Sequence, residues 1–506
     1  MAGETGALGT GDEKRGPAGP TSAPPPGGFA NHGASSPRGM DRLARSSLDL
    51  GRYGRMFRHL PPFEPPDAML RALGDSMGPF PSTSGPPPPP APAPEPPPPA
   101  PPGVEPGENP DLPAGYVYLG QFVDHDLTFD PTSVLERRND PDALVSFRTP
   151  RFDLDSLYGA GPQDHPFLYD RDDPAKLLIG RNVDPLAEPE DLPRNAQGRA
   201  LIGDPRNDFH VPISQLTLAF LRFHNAIVDH LRDQFFPAPE VFAEAQRLTR
   251  WHYQWVVVED YLRRVAGPEV LDRVLVTDSG TGARRARLRF FRWRRSPFMP
   301  VEFSAAAFRF GHSQIRSTYV LNAELDPIHI VVPQLVPNPL QHLGGFRPLP
   351  RRWKIAWDHF FEIDGSTPQL SRRIDTKMTG PLSRLPPMFD EGRRSLAFLD
   401  MLPGKALGLP SGQVVASAMG TRGSDDLGLN GEAPLWYYLL REAEVDSQGR
   451  RLGPTGATVV AEVLVGLLAA DPSSYLRAAP GWAPELPGRD PGQFTMVDLL
   501  RFAGVA

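Results

Sequence analysis

Gly120-Gln121-Phe122-Val123-Asp124-His125-Asp126 sets a histidine between two carboxylates, with an amide side chain one helical turn before it. On a helix, Gln121 and His125 share a face, while Asp124 and Asp126 point well away from it to either side. One short segment can therefore aim an acid–base group into a pocket and a hard-metal ligand elsewhere. A surface helix carrying a few polar residues fits the same seven letters, so the decision rests on the rest of the chain.

A chain of 506 residues has room for one large domain or several small ones. Its hydrophobic and charged fractions, 40% and 22%, are those of a globular protein rather than a disordered one. A net charge of −7 argues against a nucleic-acid partner, which usually leaves a basic footprint. With no cysteine, disulfides, thiolate metal sites and a cysteine nucleophile are excluded. No apolar run is long enough to span a bilayer. The stretch from Met1 to about Ser47 is rich in Gly, Pro, Ser and Ala and lacks the apolar centre of a secretory signal, which leaves export open. It reads as a disordered tail, residues 1–47. Residues 48–506 read as one domain, with an amphipathic helix from Asp67 to Met77. A proline-rich insertion interrupts the domain at about 81–110, and its Pro86–Pro102 core favours extended polyproline II.

The expected fold class is mostly α, with few short strands. Ile213, Leu216, Phe220, Phe223, Ile227 and Leu231 recur at three- and four-residue spacing and make a buried stripe. Pro212 sits where a first helical turn tolerates it. Phe242, Ala245, Leu248 and Trp251, continuing through Trp255 to Val258, mark a second long helix. Ala457–Ala470 marks a third, closing near Asp471-Pro472. The best strand signal is Leu288–Trp293. The basic run Arg284–Arg295 around it reads as an exposed strand with solvated arginines.

Three further segments carry chemistry. Thr149-Pro150-Arg151-Phe152-Asp153-Leu154-Asp155 offers oxygen donors at alternate positions: Thr149, the Arg151 carbonyl, Asp153 and Asp155. A loop of this kind suits calcium, which takes six to eight oxygen ligands, and Asp126 could complete the set from a distant helix. An Asx-rich turn without metal is the alternative. Gly203-Asp204-Pro205-Arg206-Asn207-Asp208 puts an arginine at a loop–helix junction, able to project a permanent charge into a cavity. Phe308-Arg309-Phe310-Gly311-His312 places a histidine in an otherwise apolar run, as a core residue or as a ligand.

Taken together and in order, these segments resemble the animal-type haem peroxidases of the peroxidase–cyclooxygenase superfamily, particularly their bacterial members. The likeness runs from about Tyr53 to the C-terminus. It includes Arg222-Phe223-His224-Asn225, Trp251-His252-Tyr253-Gln254-Trp255 and Gly408-Leu409-Pro410-Ser411-Gly412-Gln413. It implies a single large helical domain holding haem b between a distal and a proximal helix. By that resemblance His125 is the distal histidine, Gln121 the distal glutamine and Arg206 the distal arginine. His312 is then the proximal iron ligand, and Arg309 faces a haem propionate. Asp126, Thr149, Arg151, Asp153 and Asp155 match the calcium ligands.

The implied reaction reduces hydrogen peroxide and oxidises a small organic, halide or pseudohalide donor. Neutral His125 would take a proton from peroxide and return it to the departing oxygen. Arg206 would stabilise the charge that develops as the O–O bond breaks. The chain also departs from the family pattern. Phe209 stands where a carboxylate usually forms an ester with a haem methyl, so at most one such link, through Asp124, is expected. His210 excludes the sulfonium link of one branch. Asp400 replaces the asparagine that partners the proximal histidine, and Pro403 replaces an arginine three residues later. A carboxylate there should make the ligand more imidazolate-like and argues against efficient chloride oxidation. Fatty-acid dioxygenases, a rival within the superfamily, carry a radical-forming tyrosine at the position of Arg309. A catalytically silent binding protein of the same fold is the second rival. His224, His252 and His359 are expected to be structural.

Overall fold

The computed structural model describes residues 51–79, 105, 107–128, 145–146, 149–293, 296–332, 338–386, 394–422 and 427–506. The N-terminal tail 1–47 and the Pro86–Pro102 tract lie outside the described residues. The architecture is mostly helical with short, scattered strands.

The stripe of apolar residues beginning at Ile213 becomes a helix over Val211–Asp233, with Pro212 in its first turn and Ile213, Leu216, Phe220, Phe223, Ile227 and Leu231 all buried. It packs against Val241–Trp255, which continues as a π-helix over Val256–Leu262. Pro454–Ala470 is buried along nearly its whole length and forms an interior helix. The opening heptapeptide lies in the helix Gly115–Leu127, which packs on Val211–Asp233; Phe122 stacks on Phe220 with ring centroids 4.4 Å apart. Gly120 matters here because Tyr261, carried by the π-helix, lies directly over it. A Cβ at Gly120 would collide with the tyrosine hydroxyl. The N-terminal helix occupies Asp67–Ser76, with Met77 closing it. Among the described residues, no helix is long and apolar enough to cross a membrane.

The strands are local ties. Gly51–Gly54 pairs with Val145–Ser146 antiparallel and with Met299–Pro300 parallel, while Glu108–Pro113 pairs antiparallel with Leu370–Arg372. The expected strand over Leu288–Trp293 does not form. The backbone N–H groups of Arg289, Phe290 and Phe291 donate instead to the buried carboxylate of Glu462, at 2.9, 2.7 and 2.8 Å, and so are unavailable to a ladder. The strand nearby is Arg284–Ala286, paired with Leu275–Thr277. Arg284 is not freely solvated: it pairs with Glu259 at 2.8 Å and lies 4.3 Å over the Trp255 ring. Arg294 and Arg295 lie outside the described residues.

Candidate active site

Gly115–Leu127 is buried except at Gln121 and Asp124. Asp124, only partly covered by surface area, is nevertheless deeply enclosed by protein. Burial raises the Asp124 carboxyl above its ordinary range, opposed by Arg206, Arg309 and His312 and by a hydrogen bond from Thr128. Asp124 therefore lies within electrostatic reach of the two segments that the sequence reading pairs, one carrying Arg206 and the other Arg309 and His312.

On one side His125 is fully buried, and its Nδ1 lies 2.7 Å from Asn207 Oδ1. An amide oxygen can only accept, so Nδ1 carries the proton and Nε2 is the basic nitrogen. Burial, reinforced by the Arg206 charge, pushes the His125 pKa down to about 3, which keeps the ring neutral at ordinary pH. Arg206 and Asn207 stand on one short 3₁₀ turn, Pro205–Asp208, capped by Asp204, whose carboxylate accepts the Arg206 N–H at 2.8 Å. The guanidinium is held by Asp204 at 2.8 Å. It also donates to the carbonyls of His125 and Thr128, at 2.9 and 2.5 Å, gripping the C-terminal end of the helix. Asn207 and Asp204 were not singled out from sequence. Their only signal was adjacency to Arg206.

On the other side His312 lies in a 3₁₀ helix, Ala307–Gln314, and its Nδ1 is 2.7 Å from Asp400 Oδ2. Asp400 is buried in the helix Leu396–Ala406. Accepting from Nδ1–H, it orients the ring. Arg309 is held by two groups on this side. Its Nη1 lies 3.3 Å from Asp400 Oδ1, and its Nε donates to the Ser304 carbonyl at 3.1 Å. Asp400 is thus shared between the His312 ring and the Arg309 guanidinium.

The acidic loop approaches the buried Asp126. Single carboxylate oxygens of Asp126, Asp153 and Asp155 lie within 4.8 Å of one another. Thr149 donates to Asp153 at 2.6 Å, and Leu154 adopts a left-handed conformation between the two loop aspartates. Arg250 and Gln254 bond the Asp153 and Phe152 carbonyls, at 2.6 and 3.0 Å, and strap the loop to the core. Gly203 packs so closely on the Asp155 carbonyl that a side chain there would collide, which joins the loop to the Arg206 turn. The Arg151 side chain is exposed.

His224 is held by the Tyr158 hydroxyl and the Ala175 carbonyl, both at 2.9 Å. Likewise His252 bonds the Leu248 carbonyl at 2.8 Å and accepts from Glu485 and Leu486. Both are structural, as expected. Phe209, partly buried, closes the 3₁₀ turn.

The family model for the animal haem peroxidase matches residues 135–333, a span that contains Asp153, Asp155, Arg206, Arg309 and His312. The match spans about two fifths of the chain. A peroxidase-like protein of Margaritifera margaritifera is 33% identical over 123 residues, 23% of this chain and 14% of that protein. The chain thus spans only a small part of that relative's length. Among solved structures, peroxidase A of Dictyostelium discoideum shares the fold, with a TM-score of 0.59 and 14% identity, over 90% of this chain and 93% of that one. A fatty acid alpha-dioxygenase of Oryza sativa aligns with a TM-score of 0.48 and 16% identity, over 74% and 72% of the two chains. His125 and Asp400 fall outside the matched span, so their part in the site rests on the geometry above.

Proposed function

We propose that the protein is a haem-dependent peroxidase that reduces hydrogen peroxide and oxidises a small organic, halide or pseudohalide donor. One observation carries the reading. Asp124 adjoins His125 in the chain and lies within electrostatic reach of His312, and each histidine has its Nδ1 on a hydrogen-bond acceptor, Asn207 for one and Asp400 for the other, which fixes the orientation of both rings. His312 would hold haem b by its Nε2. Asp124 could form a single ester, and Phe209 offers no second carboxylate. Bound haem supplies the redox chemistry. The chain supplies proton handling: His125 Nε2 takes a proton from peroxide and delivers it to the departing oxygen, giving water. Arg206 contributes positive charge beside that transfer and keeps His125 neutral between turnovers. Calcium would sit among Asp126, Asp153 and Asp155, with Thr149 and the Arg151 carbonyl adding oxygens, and would hold the helix next to His125.

Arg309, bonded to Asp400, occupies the position where a dioxygenase needs its tyrosine, which favours the peroxidase reading. Haem titration of the purified chain should give a Soret band and peroxide-driven dye oxidation. His312→Ala should lose the band or shift the ferric spectrum away from histidine ligation. An unchanged spectrum and rate in that variant refutes the assignment.

A further inference from the structure

The turn carrying Arg206 and Asn207 ends on Asp208, and Asp208 belongs to a buried ion triad. Arg194 donates from Nη1 and Nη2 to the two Asp208 oxygens at 2.6 and 2.7 Å, and from Nε to Asp191 at 2.9 Å. The three side chains are 6% exposed at Arg194, 2% at Asp208 and 1% at Asp191. Asp191 is anchored in turn by the Leu349 N–H at 2.9 Å. A second clamp acts on the backbone. Phe346 donates to the Asp208 carbonyl and Gly345 to the Phe209 carbonyl, each at 2.8 Å, and a Cβ at Gly345 would collide with the Asp208 carbonyl.

We propose that Arg194 is a positioning residue for the distal group. Its fork onto Asp208 fixes the turn from which Asn207 holds His125 and Arg206 grips the helix end. The inference rests on the peroxidase reading of that group. Stability alone does not account for the triad, because replacing buried ion pairs with apolar side chains is often neutral or better. Orientation does account for it. A guanidinium fork is planar and directional, so it fixes the angle of the Asp208 carboxylate as well as its distance. Asn207 is the adjacent residue, and any rotation at Asp208 passes to the amide that sets the His125 tautomer. Catalytic groups must be held to within roughly 0.5 Å and 10–20°. A four-residue turn gives that only if its end is pinned.

The test compares the full-length, haem-loaded parent with Arg194→Met and Asp208→Asn, each also built into an Arg206→Ala/Asn207→Ala background. Arg194→Met should slow the reaction with hydrogen peroxide about tenfold to hundredfold, the cost of a misplacement near 1 Å. It should leave the haem spectrum unchanged, because His312 is untouched. In the alanine background the same substitution should have no further effect. A separate readout needs no turnover. Nitrogen NMR of the histidine-labelled full chain should show His125 protonated at Nδ1 in the parent and as a tautomer mixture in the variants. Equal slowing in both backgrounds, or an unchanged His125 tautomer in the variants, overturns the proposal. Asp208→Asn decides the matter if Arg194→Met does not fold. A parent that ignores peroxide sinks the peroxidase reading instead, and the tautomer measurement still decides positioning.

Discussion

Asp126→Asn should lower stability when calcium is bound and raise it when calcium is removed, and the size follows from the acidic cluster. Carboxylate oxygens of Asp126, Asp153 and Asp155 lie within 4.8 Å of one another. At about 4.8 Å and an effective dielectric of about 20, each like-charged pair repels by ~3.5 kcal/mol, or about 10 kcal/mol for the three pairs. That is comparable with the whole stability of an ordinary domain, roughly 5–15 kcal/mol. The hydrogen bond from Thr149 to Asp153 offsets only part of it, at about 1.5–3 kcal/mol for a charged acceptor. A divalent cation removes the repulsion. Free calcium at about 100 times its Kd adds ~2.7 kcal/mol to the native state. With an unfolding entropy of about 2.1 cal/mol/K per residue, this raises the Tm of a chain of this length by about 3 °C. Asp126→Asn deletes two of the three repulsions together with one ligand. In calcium the variant should therefore melt below the parent, and in EGTA above it. Differential scanning calorimetry of both proteins in both buffers reads the crossing. If Asp126→Asn lowers Tm by the same amount in both buffers, the cluster is a hydrogen-bonded turn and the repulsion argument is wrong.

Two other outcomes follow from the distal helix. His125 acts as a base only when neutral, and its pKa is pushed down to about 3, so the peroxide rate should stay flat from pH 8 to below pH 5 and fall only as pH approaches 3. Asn207→Asp puts a carboxylate on Nδ1, raises that pKa and should bring the acid limb at least one pH unit closer to neutrality; stopped-flow pH profiles check it, and a coincident limb in both proteins contradicts the role of Asn207. Gly120→Ala should cost about 1–3 kcal/mol through overpacking against the Tyr261 hydroxyl, with Tyr261→Phe restoring most of the loss. Urea midpoints of the single and double variants measure this, and additive losses count against the contact.

The residues legible in the sequence are those whose type carries both a period and a chemistry. The helices Val211–Asp233, Val241–Trp255 and Pro454–Ala470 follow from apolar spacing because each buries a stripe that its own sequence displays. His125, Arg206, His312 and the three aspartates stand out because few other side chains perform their chemistry. Long-range satisfaction of polar groups was hidden. Leu288–Trp293 has strand composition, yet Glu462, more than 170 residues onward, takes the donors that a ladder would use. The distal site has the same character. Asn207 sits beside Arg206 in the chain, but its hydrogen bond to His125 spans 82 residues, and the Arg194 fork that pins the turn is a further element removed. Motif residues therefore identify the reagents, whereas the tautomer of His125 and the push on His312 are set by acceptors on other elements, Asn207 and Asp400. A substitution that leaves every motif letter intact but moves the Asp208 end of the turn should then alter proton transfer at His125 while His312 stays in place. Every motif residue can thus be present in a chain whose His125 presents the wrong nitrogen.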